Sequence, residues 1–301
     1  MASNESSEHA FSSHNMQLAE EVRIACDSVT RMRQKPLLLL YYPGLDGAMT
    51  LQDVQDCYRA FRNANLTIEN PIPECDVLIH TYGGDPIAAY KLAQIINDFV
   101  RKIIYLVPEY AYSAGTLLCL SGKQIRLGHY AGLSPIDIFQ EEIELASIDN
   151  FIKFTKDCQK GIQDILSDKE KAHLCTVASD LLCHLVEQVG ALKVGEYYRA
   201  RTLTGYYAEE LLDHYMLVGL SNAKGKRNRI IRWLLFEAPS HSLHMDFHMC
   251  NNIGLVIEEM TTQESDATKH VVSLLDELTE QSVICQNITD DLKMPFIAFY
   301  Q

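Results

Sequence analysis

The sequence has no excess of basic residues. Asp and Glu outnumber Lys and Arg 40 to 26, a formal net charge of −14 over 301 residues. Nucleic acids and anionic membrane surfaces are gripped by basic faces, so neither is expected as a partner. The single dense positive run, Ala223-Lys224-Gly225-Lys226-Arg227-Asn228-Arg229, reads as a solvated loop. There is no Cys-x-x-Cys pair. The nine cysteines, Cys26, Cys57, Cys75, Cys119, Cys158, Cys175, Cys183, Cys250 and Cys285, are an odd set lying mostly inside expected helices and strands. They suggest neither a zinc ribbon nor a redox motif, and read as reduced, mostly buried thiols of a cytosolic protein. No basic start followed by an apolar run marks the N-terminus. Leu37–Tyr42 is apolar but far short of the about 20 residues that span a bilayer. The expectation is a soluble, cytoplasmic protein with no membrane span.

What the chain does contain is a repeated alternation of strand and helix. Residues 1 to 15 are polar and expected to be disordered. Gln17–Arg33 has apolar residues at helical spacing. Leu37–Tyr42 reads as a strand, and Thr50, with Asp53 three residues on, resembles a capping box opening a helix. Cys75–His80, Ile103–Val107 and Gln124–Leu127 read as further strands separated by helices. Such spacing implies a parallel sheet with crossover helices. Beyond Glu142 the pattern is mostly helical, with helices expected at Leu145–Leu166, Lys169–Val189 and Thr202–Tyr215. Ile230–Phe236 reads as a strand or short helix. A last amphipathic helix carries Val271, Leu274, Leu275 and Leu278 on one face. The apolar end Met294–Tyr300 is expected to dock on the body or on a partner.

Two of the strands end in small-residue turns that each open a helix. One turn is Thr81-Tyr82-Gly83-Gly84-Asp85-Pro86, the other Tyr112-Ser113-Ala114-Gly115-Thr116. A helix entrance offers unpaired N–H groups and the positive end of a dipole. A serine attacking a carbonyl there would have the Ala114 N–H beside the developing oxyanion. A second donor must come from another loop, and the Gly83-Gly84 turn suits it because glycine allows close backbone approach. Parallel strands put both turns at the carboxyl edge of the sheet, where open α/β folds bind ligands. The plainer reading of the same small residues is close helix–strand packing.

Leu78–Ala89, Tyr112–Leu117, Leu133-Ser134-Pro135-Ile136-Asp137, Pro239-Ser240-His241 and Asn252–Val256 together resemble separated segments of the serine dehydrogenase proteinase family. That family lies within the ClpP/crotonase fold superfamily, near the SppA-type signal peptide peptidases. The resemblance spans about residues 36 to 260. The chain departs from it at Tyr82 (usually Pro) and at Ile138-Phe139 (usually Pro-Gln), and its Leu133–Asp137 is similar to the family's Leu-Gly-Pro-Ile-Asp stretch. The resemblance implies an α/β fold, a ClpP/crotonase-like spiral of β-β-α units with helical oligomerisation arms. It also implies a division into a polar segment and helix at 1–35, a serine protease domain at 36–260 and a helical tail at 261–301. The implied activity is peptide-bond hydrolysis on a peptide or protein substrate by a homo-oligomer. Ser113 would be the nucleophile, Gly83, Gly84 and Ala114 would form the oxyanion hole, and neither cofactor nor metal would take part.

A serine nucleophile needs a base. ClpP-like relatives use His and SppA-like relatives use Lys. Nothing matches the ClpP histidine, whose place falls near Pro135. Lys153 stands at a separation from Ser113 that suits the Ser–Lys relatives, though off the apolar stripe of its helix. His241, in the closing segment, is the alternative. His129 reads as a loop histidine and His80 as a satisfied core histidine. His241, His244 and His248 have spacings compatible with a metal, but only Asp246 lies near them. Two other functions share the fold: a scaffold that has lost its base, and a crotonase-type enzyme acting on acyl-CoA without a serine nucleophile.

Overall fold

In the computed structural model the run Leu37–Tyr41 becomes β1, with every residue buried. A strand apolar on both faces has to sit inside a sheet covered on both sides. The structure describes residues 2–44, 47–136, 139–140, 143–144, 190–284 and 296–300, with residues 153, 176, 177, 179, 180, 183, 184 and 187. β1 pairs in parallel with β2 (Cys75–His80), β2 with β3 (Ile103–Val107), β3 with β5 (Gln124–Leu127) and β5 with β9 (Ile257–Glu259). The strands stand in chain order across the sheet. The apolar chain end forms β10 (Phe296–Tyr300), which pairs antiparallel with β1 in the register Leu37↔Tyr300 to Tyr41↔Phe296. Its docking partner is therefore the body of the molecule.

Alternate side chains of β1 enter different layers. Leu38 and Leu40 pack with Phe61 of α2 (Leu51–Asn63) and with Leu92 and Phe99 of α3 (Pro86–Phe99). Leu37 and Leu39 pack with Val22 and Val29 of α1 (Ala2–Arg33) and with Val271 and Leu275 of the long helix near the C-terminus. Each such side chain contributes about 1.5–3 kcal/mol on leaving water. Helix α1 runs Ala2–Arg33, so the polar stretch expected to be disordered is helical. Once the packed turns from Leu18 onward exist, extending a helix costs far less than starting one. α2 opens at Thr50, whose N–H donates to the Asp53 carboxylate at 2.6 Å, as the capping-box spacing requires.

β4 (Tyr110–Ala111) and β6 (Gly132–Leu133) form a second, small parallel pair. Between them lie α4 (Ala114–Cys119) and β5. β7 (Phe139–Gln140) and β8 (Ile143–Glu144) form a short antiparallel pair. Helix α5 (Ala191–Leu211) continues into a π-helical turn, Leu212–Met216. The basic run expected to be a loop is the first part of α6 (Ala223–Arg232), followed by a π-helical turn, Trp233–Glu237. Neutralisation explains the difference: Arg227 bridges Glu209 at 2.7 Å and Asp213 at 2.5 Å, and Lys and Arg are good helix formers. The segment closes with α7 (Phe247–Ile253) and α8 (Thr262–Ile284). The helices expected at 145–166 and 169–189 fall largely outside the described residues. Within them, Lys153 is helical and exposed.

A charge lattice ties α1 and α8 to the sheet. Arg33 reaches the fully buried Asp76 of β2 at 2.7 Å and also Glu264. Arg126 of β5 meets Glu264 at 2.8 Å and Glu258 at 2.7 Å. Glu264 also takes the Thr261 N–H at 2.8 Å, closing the first turn of α8. Burial pushes the Glu264 carboxyl up, but the Thr261 N–H and the two guanidiniums outweigh it and hold the group at about 2. Its stabilisation is complete above the unfolded value of about 4.3 and is lost as pH falls through about 2. Glu264→Gln keeps the shape and removes the charge. It should cost about 2 kcal/mol at neutral pH, and urea titrations across the pH range should show a flatter acid limb than wild type.

Candidate functional site

Ser113 stands at the mouth of α4 with φ +51° and ψ −114°. A non-glycine residue there carries strain of order 1–3 kcal/mol and needs neighbours that over-determine it. Three supply the fit. β4 lies beside the end of β2: Thr81 N–H donates to Tyr110 O at 3.2 Å and Tyr112 N–H to Thr81 O at 3.0 Å. Gly83, at φ +118°, then passes so close that a Cβ on it would lie 2.9 Å from the Ser113 Cβ. Gly115 leaves equally little room, its Cβ position being 2.5 Å from the Thr81 methyl. The third hold comes from Leu133–Ile136, where Ser134 Oγ accepts the Ser113 N–H at 2.7 Å.

The donors around Ser113 are sorted by the same geometry. Met49 bonds on both sides of Gly84, its N–H to Gly83 O at 2.8 Å and its O from Asp85 N–H at 2.9 Å. The residue between two such bonds turns its own N–H the other way. Here that side is the cavity, whose wall includes Gly84. Ala114 is the first residue of α4 and also lines the wall; first-turn amides have no partner inside a helix. Among the described residues nothing accepts either N–H. The Gly83 N–H, in contrast, is given to Thr81 Oγ1 at 2.9 Å, so Gly83 serves by its missing side chain.

The cavity holds about 560 Å³. It brings together Ser113, Gly84, Ala114 and His241, roofed by Ala200, Leu203 and Thr204 of α5. Asp85 and Pro86, which cap α3, form part of its wall; Asp85 accepts the Ile87 N–H at 2.8 Å. Lys153 is exposed and is not part of the wall. His129 lies instead near α8, its N–H on Ser265 Oγ at 3.1 Å. His244 pairs with the Tyr112 hydroxyl at 2.9 Å, next to the Ser113 turn. The roof from α5 and the hold by Ser134 are absent from the sequence reading. For the roof no local signal exists, because Ala200, Leu203 and Thr204 are ordinary helix positions. For Ser134 the departure from glycine was the available cue.

His80, at the end of β2, is buried but not satisfied as expected. Its ring stacks at 5.5 Å on Tyr41 and tilts at 4.1 Å against Tyr110. Glu109 stops 3.8 Å from Nδ1, which has no hydrogen-bond partner among the described residues. The two tyrosine rings fill the space a partner would use. Burial depresses the imidazole to about 4.

A mostly parallel sheet, with a serine in a positive-φ turn beside a glycine pair at its carboxyl edge, makes this a mixed α/β protein. The chain belongs to the family of ClpP-like SDH-type (serine dehydrogenase-type) serine proteinases, whose model matches residues 20–208. Two uncharacterized proteins of Methanocaldococcus jannaschii are similar to it. One is 35% identical over 89 residues, covering 30% of this chain and 29% of the relative. The other is 33% identical over 106 residues, covering 35% of this chain and 34% of the relative. The chain thus matches about a third of the length of these relatives. No solved structure matches it. Among the described residues no helix is long and apolar enough to cross a membrane.

Two outcomes follow from the packing. Gly84→Ala would put a Cβ 2.2 Å from the Met49 N at φ +142°, so denaturant unfolding should show a loss of about 2–3 kcal/mol. For His80, the unfolded chain binds a proton near pH 6.5 and the folded chain only near 4. Stability is therefore highest above pH 6.5 and falls as pH drops to about 4. In His80→Phe the thermal midpoint should lose that slope between pH 6.5 and 5, above the carboxylate range.

Proposed function

We propose that the protein is a serine hydrolase that cleaves peptide bonds, with Ser113 as nucleophile and His241 as general base. The observation that carries the reading is the convergence in one cavity of a strained Ser113, the uncommitted Gly84 and Ala114 amides, and a histidine. Ser113 Oγ adds to the carbonyl carbon as His241 takes its proton. The carbonyl oxygen becomes an oxyanion facing the Gly84 and Ala114 N–H groups. Donors of this kind contribute about 2.7–4 kcal/mol each to the transition state. Collapse breaks the C–N bond, and the amine leaves with the proton from His241. Water then attacks the acyl-enzyme, losing a proton to His241; the acyl C–Oγ bond breaks, Ser113 Oγ takes that proton back, and the carboxylic acid departs.

Lys153 is the weaker base in this reading, since it is exposed and off the cavity wall. A lysine needs desolvation to lose its proton near neutral pH. Family membership supports a peptide or protein substrate, a spiral of β-β-α units and a homo-oligomer built with helical arms. A cytoplasmic setting agrees with Cys26, Cys57, Cys75, Cys119 and Cys250, which are free and buried.

A fluorophosphonate probe reports the reactive serine directly. Wild type should be labelled and Ser113→Ala should not. His241→Ala should slow labelling about 100-fold or more, while Lys153→Ala should match wild type. Absence of labelling in wild type would count for an inactive scaffold. A saturable CoA thioester bound without serine labelling would point instead to acyl-CoA chemistry. Full activity in His241→Ala would remove His241 from the base role.

A further inference from the structure

We propose that Ser134 is a positioning residue for Ser113: its buried hydroxyl clamps the Ser113 amide and so holds the serine in the turn that presents Oγ to the cavity. The proposal rests on the reading of Ser113 as nucleophile.

The hydrogen bonds around Ser134 leave its hydroxyl one role toward Ser113. A serine hydroxyl has a single proton to give, and Ser134 Oγ gives it to Pro135 O at 3.1 Å. Toward Ser113 it can only accept, and it does so at 2.7 Å. The Ser134 N–H donates to Thr116 Oγ1 at 3.0 Å, and Thr116 Oγ1–H donates to Ala111 O at 2.8 Å. Ser134 is 2% exposed and Thr116 fully buried, so water does not compete for these groups. The chain of bonds closes a loop around the turn: Ala111, Thr116, Ser134, Ser113.

Positive φ at Ser113 depends on this clamp. With α4 fixed, relaxing φ to a negative value turns the peptide plane between Tyr112 and Ser113. That motion carries the Ser113 N–H off the Ser134 hydroxyl and leaves a buried donor unpaired, which is costly. The clamp also separates the amides by function. The Ser113 N–H is consumed, while the Ala114 N–H, one residue on, stays free for a substrate oxygen.

The stretch carrying Ser134 also holds the segment that carries His241. Leu133 and Met245 exchange both backbone bonds, at 3.0 and 2.8 Å, and Ile136 N–H donates to Leu234 O at 3.1 Å. One short piece of chain thus grips the nucleophile turn on one side and the histidine segment on the other.

The test uses the full chain with Ser134→Ala and Ser134→Thr. One readout is hydrogen exchange at the Ser113 amide, followed by NMR. The other is steady-state hydrolysis of a short activated peptide ester, with fluorophosphonate labelling in parallel. In Ser134→Ala the Ser113 amide should exchange about tenfold faster, while the Leu133 and Met245 amides stay protected. On the ester, kcat should fall about tenfold with KM nearly unchanged. Ser134→Thr, which keeps a hydroxyl, should restore both. If Ser134→Ala fails to fold, Ser134→Cys carries the same comparison, sulfur being a weak acceptor. Unchanged protection at Ser113 overturns the clamp. Lost protection with unchanged kcat overturns its role in positioning. Wild type that takes no label overturns the hydrolase reading and the positioning role with it, while exchange at Ser113 still decides whether the clamp exists.

Discussion

Ser113 can keep a positive φ only because three pieces of chain meet around it without room to relax. Gly83 approaches its Cβ, Gly115 lies against Thr81, and Ser134 takes its amide. Each contact needs a residue without a side chain or with a very short one. The strain is small beside the burial that surrounds it, so the fold carries it without loss of integrity. The strained turn in turn decides which amides remain available. With the Gly83 and Ser113 N–H groups already committed, Gly84 and Ala114 are left facing the cavity. The chemistry proposed for the site is therefore a consequence of hydrogen-bond accounting as much as of side-chain identity.

The sheet gives that turn a rigid base. Its central strands are buried on both faces, with α2, α3 and α4 on one side and α1 and α8 on the other. Because all five parallel strands run the same way, their carboxyl ends lie along one edge. The turns after β2 and after β4 come together there through the bridge between Thr81 and Ala111. On the α1 and α8 side, Arg33, Asp76, Arg126 and Glu264 join two helices to two strands. A charge at the buried Asp76 is tolerated because a guanidinium faces it, and the same lattice orients α8 through the Thr261 cap.

Much of the fold was legible because local pattern and tertiary environment agreed. The apolar runs of β1, β2 and β3, the Thr50–Asp53 box and the apolar face of α8 each have one stable solution. The errors have physical causes. The basic run 223–229 looked like a loop because its charges seemed unpaired; Glu209 and Asp213, some fifteen residues upstream, neutralise Arg227. His80 looked satisfied because buried histidines generally are, yet Tyr41 and Tyr110 occupy its flanks. The choice between Lys153 and His241 was open in the sequence, since separation along the chain says little about which residue reaches a cavity. The wall contributed by α5 had no local signature at all.

The sequence by itself determined the strand–helix alternation, the two small-residue turns and the serine at a helix entrance. These follow from residue size, periodicity and backbone preference, which act over a few positions. Only the tertiary structure decided which donors are free, that His241 and not Lys153 shares a cavity with Ser113, and that Ser134 accepts the Ser113 amide. Those outcomes depend on groups far apart in the chain competing for the same hydrogen bonds and the same space, and such competition exists only once the chain is folded.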